Sequence, residues 1–260
     1  MSRTRPIAAV PALLLIAVAG WEVCAARRDA RAMPDDAAWH AAGDLVRAGY
    51  QPGDLIVFAP GWVDPIGRRE LGALIPVADA ARMDAARYAR IWELSVRGAR
   101  APEVEGLTAA TVETRSGIEI RRYAQPPAIV VGDVLDRYAS ATGGHPALTL
   151  AEVGFAPHRC LQLSPVPGVP LRIVFPAFPL GRQLVGYVGI ADVFTRRDVR
   201  SPVALEVELG GAVIASATAG VDDGWVRFAA ATPPGAGDVA FVLHAADANR
   251  KLCFAAEARQ

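Results

Sequence analysis

Lysine is nearly absent from this chain. Of 27 basic residues only Lys251 is not arginine, and the basic side chains are matched by 27 acidic ones. Residues 34–260 alone carry 22 basic and 25 acidic side chains, which excludes the strongly basic body that grips nucleic acid. Cysteine is scarce as well. Only Cys24, Cys160 and Cys253 occur, and no C-x-x-C exists to serve as a redox dithiol. The four histidines, His40, His145, His158 and His244, lack the paired spacing that would set two ligands on one helix or strand face, so no metal site is expected. G-x-S-x-G, H-E-x-x-H, the phosphate-binding G-x-x-x-x-G-K-[ST] and a strand-borne G-x-G-x-x-G are all missing. No cofactor is expected and no catalytic residue is assigned. Internal repeats and low-complexity linkers are absent too.

What remains is rich in apolar residues. With 260 residues, 52% hydrophobic and 21% charged, the chain can bury one large core or two ordinary ones. Its one long apolar block lies at the start. Arg3 and Arg5 precede Ile7–Ala19, a basic n-region followed by an apolar h-region that addresses the chain to a membrane. Ala17-Val18-Ala19 has the small-x-small form of a signal peptidase site, whereas a stretch through residues 7–26 is long enough to span a bilayer as a helix. Residues 1–33 are therefore expected to be a signal peptide or a single anchor, with the rest in the periplasm or at the cell surface. Trp21-Glu22-Val23 before Cys24 lacks a lipoprotein pattern. In such a compartment Cys160 and Cys253 are expected to pair.

Residues 34–127 read as a small layered α/β (Rossmann-like) unit. Asp35 or Asp36 caps a helix with Trp39, Ala42 and Val46 on one face and Gly49 at its end. After a turn at Gln51-Pro52-Gly53-Asp54, the run 55–60 (LIVFAP) is a strand buried on both faces. Helices are expected from Pro65 to about Leu74 and from Asp79 to Tyr88, then a strand at 91–96. A hairpin of 111–115 and 117–123, turning at Ser116-Gly117, is expected as an appendage. Residues 128–260 change to short strands broken by Gly and Pro, at 129–135, 147–153, 171–175, 184–193, 203–209, 213–217, 226–230, 239–244 and 252–256. That spacing predicts an antiparallel β-sandwich of jelly-roll type, making the whole an α+β two-part chain. Within it, Val203, Leu205, Val207 and Leu209 alternate with Glu206 and Glu208, and Gly210-Gly211 supplies a turn.

One local feature suggests a ligand. In 59–69 (APGWVDPIGRR) a buried strand gives way to a helix, the edge where α/β sheets take ligands. Trp62 can stack on a sugar, while Arg68 and Arg69 can meet an anion near the helix start. Asp64 followed by Pro65 equally fits an N-cap and first helical position, under which Trp62 packs the loop onto the body. Asp79, Asp84 and Glu93 are expected as caps or on a solvated face, His145 and His158 as exposed loop histidines, Arg196, Arg197, Asp198 and Arg200 as a solvated loop, and Trp225 as core.

The residues 53–57 (GDLIV), 59–62 (APGW), 90–95 (RIWELS) and 117–123 (GIEIRRY) resemble the soluble extracytoplasmic region of lipid-linked-sugar glycosyltransferases of the protein mannosyltransferase type, over about residues 35–125. The resemblance implies a setting in glycan assembly. It does not bring transferase activity, because one possible span cannot form the multi-span membrane core of those enzymes. Residues 128–260 look like galactose-binding or jelly-roll modules without a ligand-defining motif. The expectation is an exported, membrane-anchored accessory or binding protein in envelope glycan metabolism, non-catalytic, with a glycan or an envelope protein as partner and no nucleic acid. A glycan hydrolase or esterase without a visible motif, and a structural module of an envelope assembly, are the alternatives. Fusing residues 1–33 to a reporter active only outside the cytoplasm is expected to give signal; a silent, cytosolic fusion would contradict the reading of Arg3, Arg5 and the apolar block.

Overall fold

A computed structural model describes residues 9–31, 33–191 and 200–260. Arg3 and Arg5 lie outside the described residues, as do Arg196, Arg197 and Asp198. The described chain opens with helix α1 (Ala9–Arg31), whose Leu13, Leu14, Leu15, Ile16 and Trp21 are exposed. Among the described residues no helix is long and apolar enough to cross a membrane. The expected membrane passage through residues 7–26 is thus not seen as a span.

By its backbone proximity the chain divides into two units, one of residues 1–72 and 90–124, the other of residues 73–89 and 125–260. In the first, Asp35 caps helix α2 (Asp36–Gly49), its Oδ1 accepting the Ala38 N–H at 2.8 Å. Strand β1 (Leu55–Ala59) follows and is buried throughout. Helix α3 (Asp64–Leu71) packs its Gly67 against Phe58, whose ring also meets that of Trp39 edge-on at 6.5 Å. Strand β2 (Arg90–Val96) runs parallel to β1, and β3 (Ala109–Arg115) and β4 (Ile118–Ala124) complete a sheet in the order β1-β2-β4-β3. The hairpin is no appendage: β4 is an inner strand, because Ile118, Ile120 and Tyr123 supply the buried residues that β3 lacks. Ser116 and Gly117, at φ of 47° and 86°, make the two-residue turn that antiparallel strands require.

Two buried carboxylates fix this unit. Asp54 accepts from Arg90 Nε (2.8 Å), Trp92 Nε1 (2.8 Å) and the Gln51 N–H (3.0 Å). Burial pushes its pKa up, and these donors more than offset it, so the carboxyl titrates below its ordinary range. Glu93 is fully buried on β2, where it accepts from the Ala101 N–H (2.6 Å), Tyr123 hydroxyl (2.8 Å) and Arg121 (3.2 Å). The expected solvated placement of Glu93 fails because its position on a central strand leaves it no route to water. Burial and the Glu93 carboxylate raise the Tyr123 hydroxyl to about 12.

The second unit is an antiparallel β-sandwich. Its strands are β5 (Val130–Asp133), β6 (Ala147–Val153), β7 (Ala156–Leu163), β8 (Leu171–Leu180), β9 (Gln183–Ile190), β10 (Val203–Leu209), β11 (Ala212–Ala219), β12 (Val226–Ala231), β13 (Gly235–Ala245) and β14 (Leu252–Arg259). One sheet has the order β11-β10-β13-β8; the other runs β12-β9-β14-β7-β6, with β5 also pairing β14. Phe175, Phe178, Phe228, Phe241 and Phe254 meet between them, Phe241 and Phe254 at 4.8 Å. On β14 the residues Leu252, Phe254, Ala256 and Ala258 face this core, which turns Cys253, Ala255, Glu257 and Arg259 to the outer face. Cys253 bonds Cys160 of the neighbouring β7, with Cα atoms 5.5 Å apart, closing a loop of 93 residues that stabilises the fold by about 4 to 5 kcal/mol on the chain-entropy account.

The outer face carries a segment that the sequence assigns elsewhere. Residues 79–88 are not a continuous helix: α4 spans only Val77–Ala80, and the chain then runs irregularly across the six-stranded sheet. The Arg159 N–H donates to the Ala81 carbonyl (2.9 Å), and Trp225 Nε1 to that of Met83 (3.2 Å). A helix there would spend its carbonyls internally and forgo these bonds. We call residues 77–89 the arm.

A Cβ placed on Gly67 would lie 2.0 Å from the Phe58 ring. Gly67→Ala is therefore expected to cost about 1 to 3 kcal/mol, read as a lower urea midpoint at unchanged slope.

Candidate functional site

The strand-to-helix junction after β1 is a 3₁₀ turn, Gly61–Val63, whose two large side chains part company. Val63 is fully buried, whereas Trp62 keeps 53% of its surface exposed. Val63 pins the turn and leaves the indole outside, so the packing role weighed for Trp62 falls to its neighbour. The capping role weighed for Asp64 is not taken up either. Val63 occupies the N-cap position, Asp64 is the first helical residue and Pro65 the second. The Asp64 carboxylate instead accepts from Arg68 Nε at 2.5 Å, one helical turn on. Arg69 reaches across to Asp36, also at 2.5 Å. All four predicted site residues thus sit on one turn and one helix, but both cations are already answered by carboxylates.

The arm and the sheet beneath it form the other concentration of polar chemistry. Asp84 accepts from Arg259 Nη2 at 2.9 and 3.0 Å, and Arg259 Nε donates to Glu257 at 3.0 Å. Glu257 also receives Arg87 Nε at 2.7 Å, and Arg87 pairs with Asp133 on β5. Burial raises the Glu257 carboxyl above its usual range against the pull of Arg259 and Arg87. Asp84 is therefore no solvated acid, and Asp79 is held by the Tyr88 hydroxyl at 2.8 Å. Both are placed by partners on or under the arm. The signal for this lattice is present in the sequence: Glu257 and Arg259 are opposite charges on one face of an otherwise apolar strand, which demands partners from another segment.

Trp225 belongs to the same layer. It packs over the disulfide, stacked on His158 at 4.5 Å and nearly parallel to Tyr187 at 6.0 Å. It is half-buried packing, as expected. His158 is not the exposed loop histidine of the sequence reading, because residues 156–163 form β7 and its ring lies between Trp225 and the Arg82 carbonyl, 3.3 Å from Nδ1. Burial pulls His158 down to about 4, although the Arg82 carbonyl favours the charged form. His145 is exposed. Arg200 is held by the Ala248 and Asn249 carbonyls at 3.3 Å. Among the described residues no group of three His, Cys, Asp or Glu is arranged to hold a metal, and His40, His158 and His244 contact carboxylates or a backbone carbonyl, not a hydroxyl or thiol.

No protein-family model and no curated protein matches the chain. Among solved structures, the second CBM51 module with INT domains of Clostridium perfringens ZmpB, in complex with GlcNAc, is 15% identical, covering 64% of this chain and 40% of that one, with a TM-score of 0.36. The CBM51 module of a Clostridium perfringens GH95 protein, in complex with methyl-galactose, is 10% identical over 50% of this chain and 99% of that one, also at 0.36. The secreted serine protease VesC of Vibrio cholerae is 8% identical over 56% and 38% of the two chains, at 0.30. The chain spans about two fifths of the length of the first of these. The sandwich is established by its own strand pairing.

A histidine whose pKa falls from 6.5 to about 4 on folding binds its proton more readily when unfolded. Its contribution is complete above about pH 6.5 and is lost as the pH falls toward 4, by up to about 3 kcal/mol. His158→Phe, which keeps a ring on Trp225, is expected to flatten this part of the stability profile in urea titrations between pH 7 and 4.

Proposed function

We propose that this chain is an extracytoplasmic, non-catalytic glycan-binding accessory protein whose sugar platform is Trp62. The observation that carries the reading is the exposure of that indole on a turn pinned by buried Val63. Leaving a large aromatic face in water costs hydrophobic free energy that a stacked sugar ring recovers. The Asp64–Arg68 pair beside it in sequence offers both an acceptor and donors for sugar hydroxyls. Because Arg68 and Arg69 are already paired, the ligand at this turn is a neutral sugar; an anion would first have to displace a carboxylate.

The Cys160–Cys253 bond supports an oxidising compartment, and residues 1–33 are read as the segment that takes the chain there, as a cleaved signal or an anchor. The α/β unit, with its parallel β1–β2 pair and helices α2 and α3, is read as the Rossmann-like part akin to the soluble region of mannosyltransferase-type enzymes. The jelly-roll-like sandwich is read as the second module, in an envelope setting. Domain limits of 34–127 and 128–260 go with this reading, the arm being lent to the sandwich.

Trp62→Ala is expected to weaken binding of neutral oligosaccharides on a glycan array by at least about tenfold. As an exposed residue it should cost under about 1 kcal/mol of stability, whereas Trp39→Ala, at a fully buried position, should cost about 3 to 5. Unchanged binding by Trp62→Ala, or a wild-type chain that retains no neutral glycan, would overturn the proposal.

A further inference from the structure

The edge of the six-stranded sheet holds a second surface with a different charge. Arg182, Gln183, Ala229, Ala230, Ala231 and Gln260 line an open groove of about 460 Å³. Register places it. Ala231 lies opposite Gln183, Ala229 opposite Val185 and Arg227 opposite Tyr187. Leu184, Val188 and Phe228 face the core, so Gln183, Ala229, Ala231 and Arg227 share the outer face of the sheet. Arg182 is in the turn between β8 and β9, at the groove's end, and Arg227 is two residues beyond Ala229 along β12.

The charges decide what fits. Neither Arg182 nor Arg227 has a side-chain hydrogen bond or ion pair among the described residues, and both are exposed. No carboxylate side chain lines the groove. The acids farther along this face are already consumed: Asp84 by Arg259, Glu257 by Arg259 and Arg87, and Asp133 by Arg87. Arg227 lies four positions before Ala231 on the strand, roughly 13 Å away at the usual rise. A shallow floor of methyl groups therefore has Arg182, Gln183 and Gln260 at one end and, beyond its lining, Arg227 at the other.

We propose that this groove binds an acidic oligosaccharide along β12, its carboxylate, sulfate or phosphate groups meeting Arg182 and Arg227 and its hydroxyls meeting Gln183 and Gln260. Guanidinium forks match such oxyanions. The alanine side chains let a sugar chain lie close to the sheet without a pocket deep enough to select one monosaccharide. The proposal rests on the glycan-binding reading but not on Trp62, which serves neutral sugars on another unit.

Isothermal titration of the full chain with hexagalacturonate, and with its fully methyl-esterified, uncharged form, tests it. Binding is expected for the acidic hexamer and not for the ester, weakening as salt rises. Arg182→Ala and Arg227→Ala should each reduce affinity about fivefold and together at least about tenfold. Ala231→Trp, which fills the groove and leaves both arginines, should abolish binding, while Trp62→Ala should leave it unchanged. Wild-type affinity in the double arginine variant, or in Ala231→Trp with its melting temperature retained, would overturn the groove. So would equal binding of polyglutamate, which carries the charge without the sugar. Loss of hexagalacturonate binding in Trp62→Ala alone would move the acidic ligand to the other unit, overturning this proposal while sustaining the first.

Discussion

The chain of charges Asp84–Arg259–Glu257–Arg87–Asp133 lies where a sheet meets an irregular segment, with Arg259 and Glu257 nearly excluded from water. Each ion would be costly alone in that position. Because every member has an oppositely charged neighbour, the lattice tolerates burial, and through it the arm is held against strands β5 and β14. Trp225, His158 and the disulfide lie in the same layer, so the outer face of the sandwich behaves as a second, thinner core. Losing one member, Arg259 for example, would strand Asp84, leave Glu257 with Arg87 alone, and loosen the arm at Asp84.

Local signals make much of the architecture legible in the sequence. Asp35 before an amphipathic run marks α2, the apolar 55–59 marks β1, and Gly210-Gly211 between alternating segments marks the β10–β11 hairpin. The two-cysteine argument identifies the partners of the disulfide. What escapes is set by distant partners. Residues 79–88 have helix-forming composition, and nothing near them reveals that Asp84 and Arg87 are claimed by residues 175 and 170 positions away. Strand β7 escapes because Pro157, His158 and Arg159 dilute its alternation.

At the candidate sites the division is similar. The turn at Trp62 is visible because strand, proline and helix follow one another in sequence, yet which of Trp62 and Val63 turns inward depends on the body that receives it. The groove on β12 is invisible. Arg182, Arg227 and Gln260 come from three separate stretches, and only the register of β12, β9 and β14 brings them to one surface. The two surfaces differ in what a sugar would find there, an indole beside a neutralised ion pair in one case and unneutralised guanidinium groups over methyls in the other.

The arm also sets an order of events. Residues 77–89 leave the ribosome long before 252–259, the strand whose Glu257 and Arg259 they need. During synthesis the arm therefore lacks the charged part of its seat, and β2, immediately after it, must find β1 while the arm is not yet locked down. Docking can be complete only once the last strand has entered the sheet between β9 and β7, so the arm is among the final pieces to settle. A ribosome-stalled chain ending before residue 252 should consequently be cut by proteases within 77–89 while the sheet of β1, β2, β4 and β3 resists.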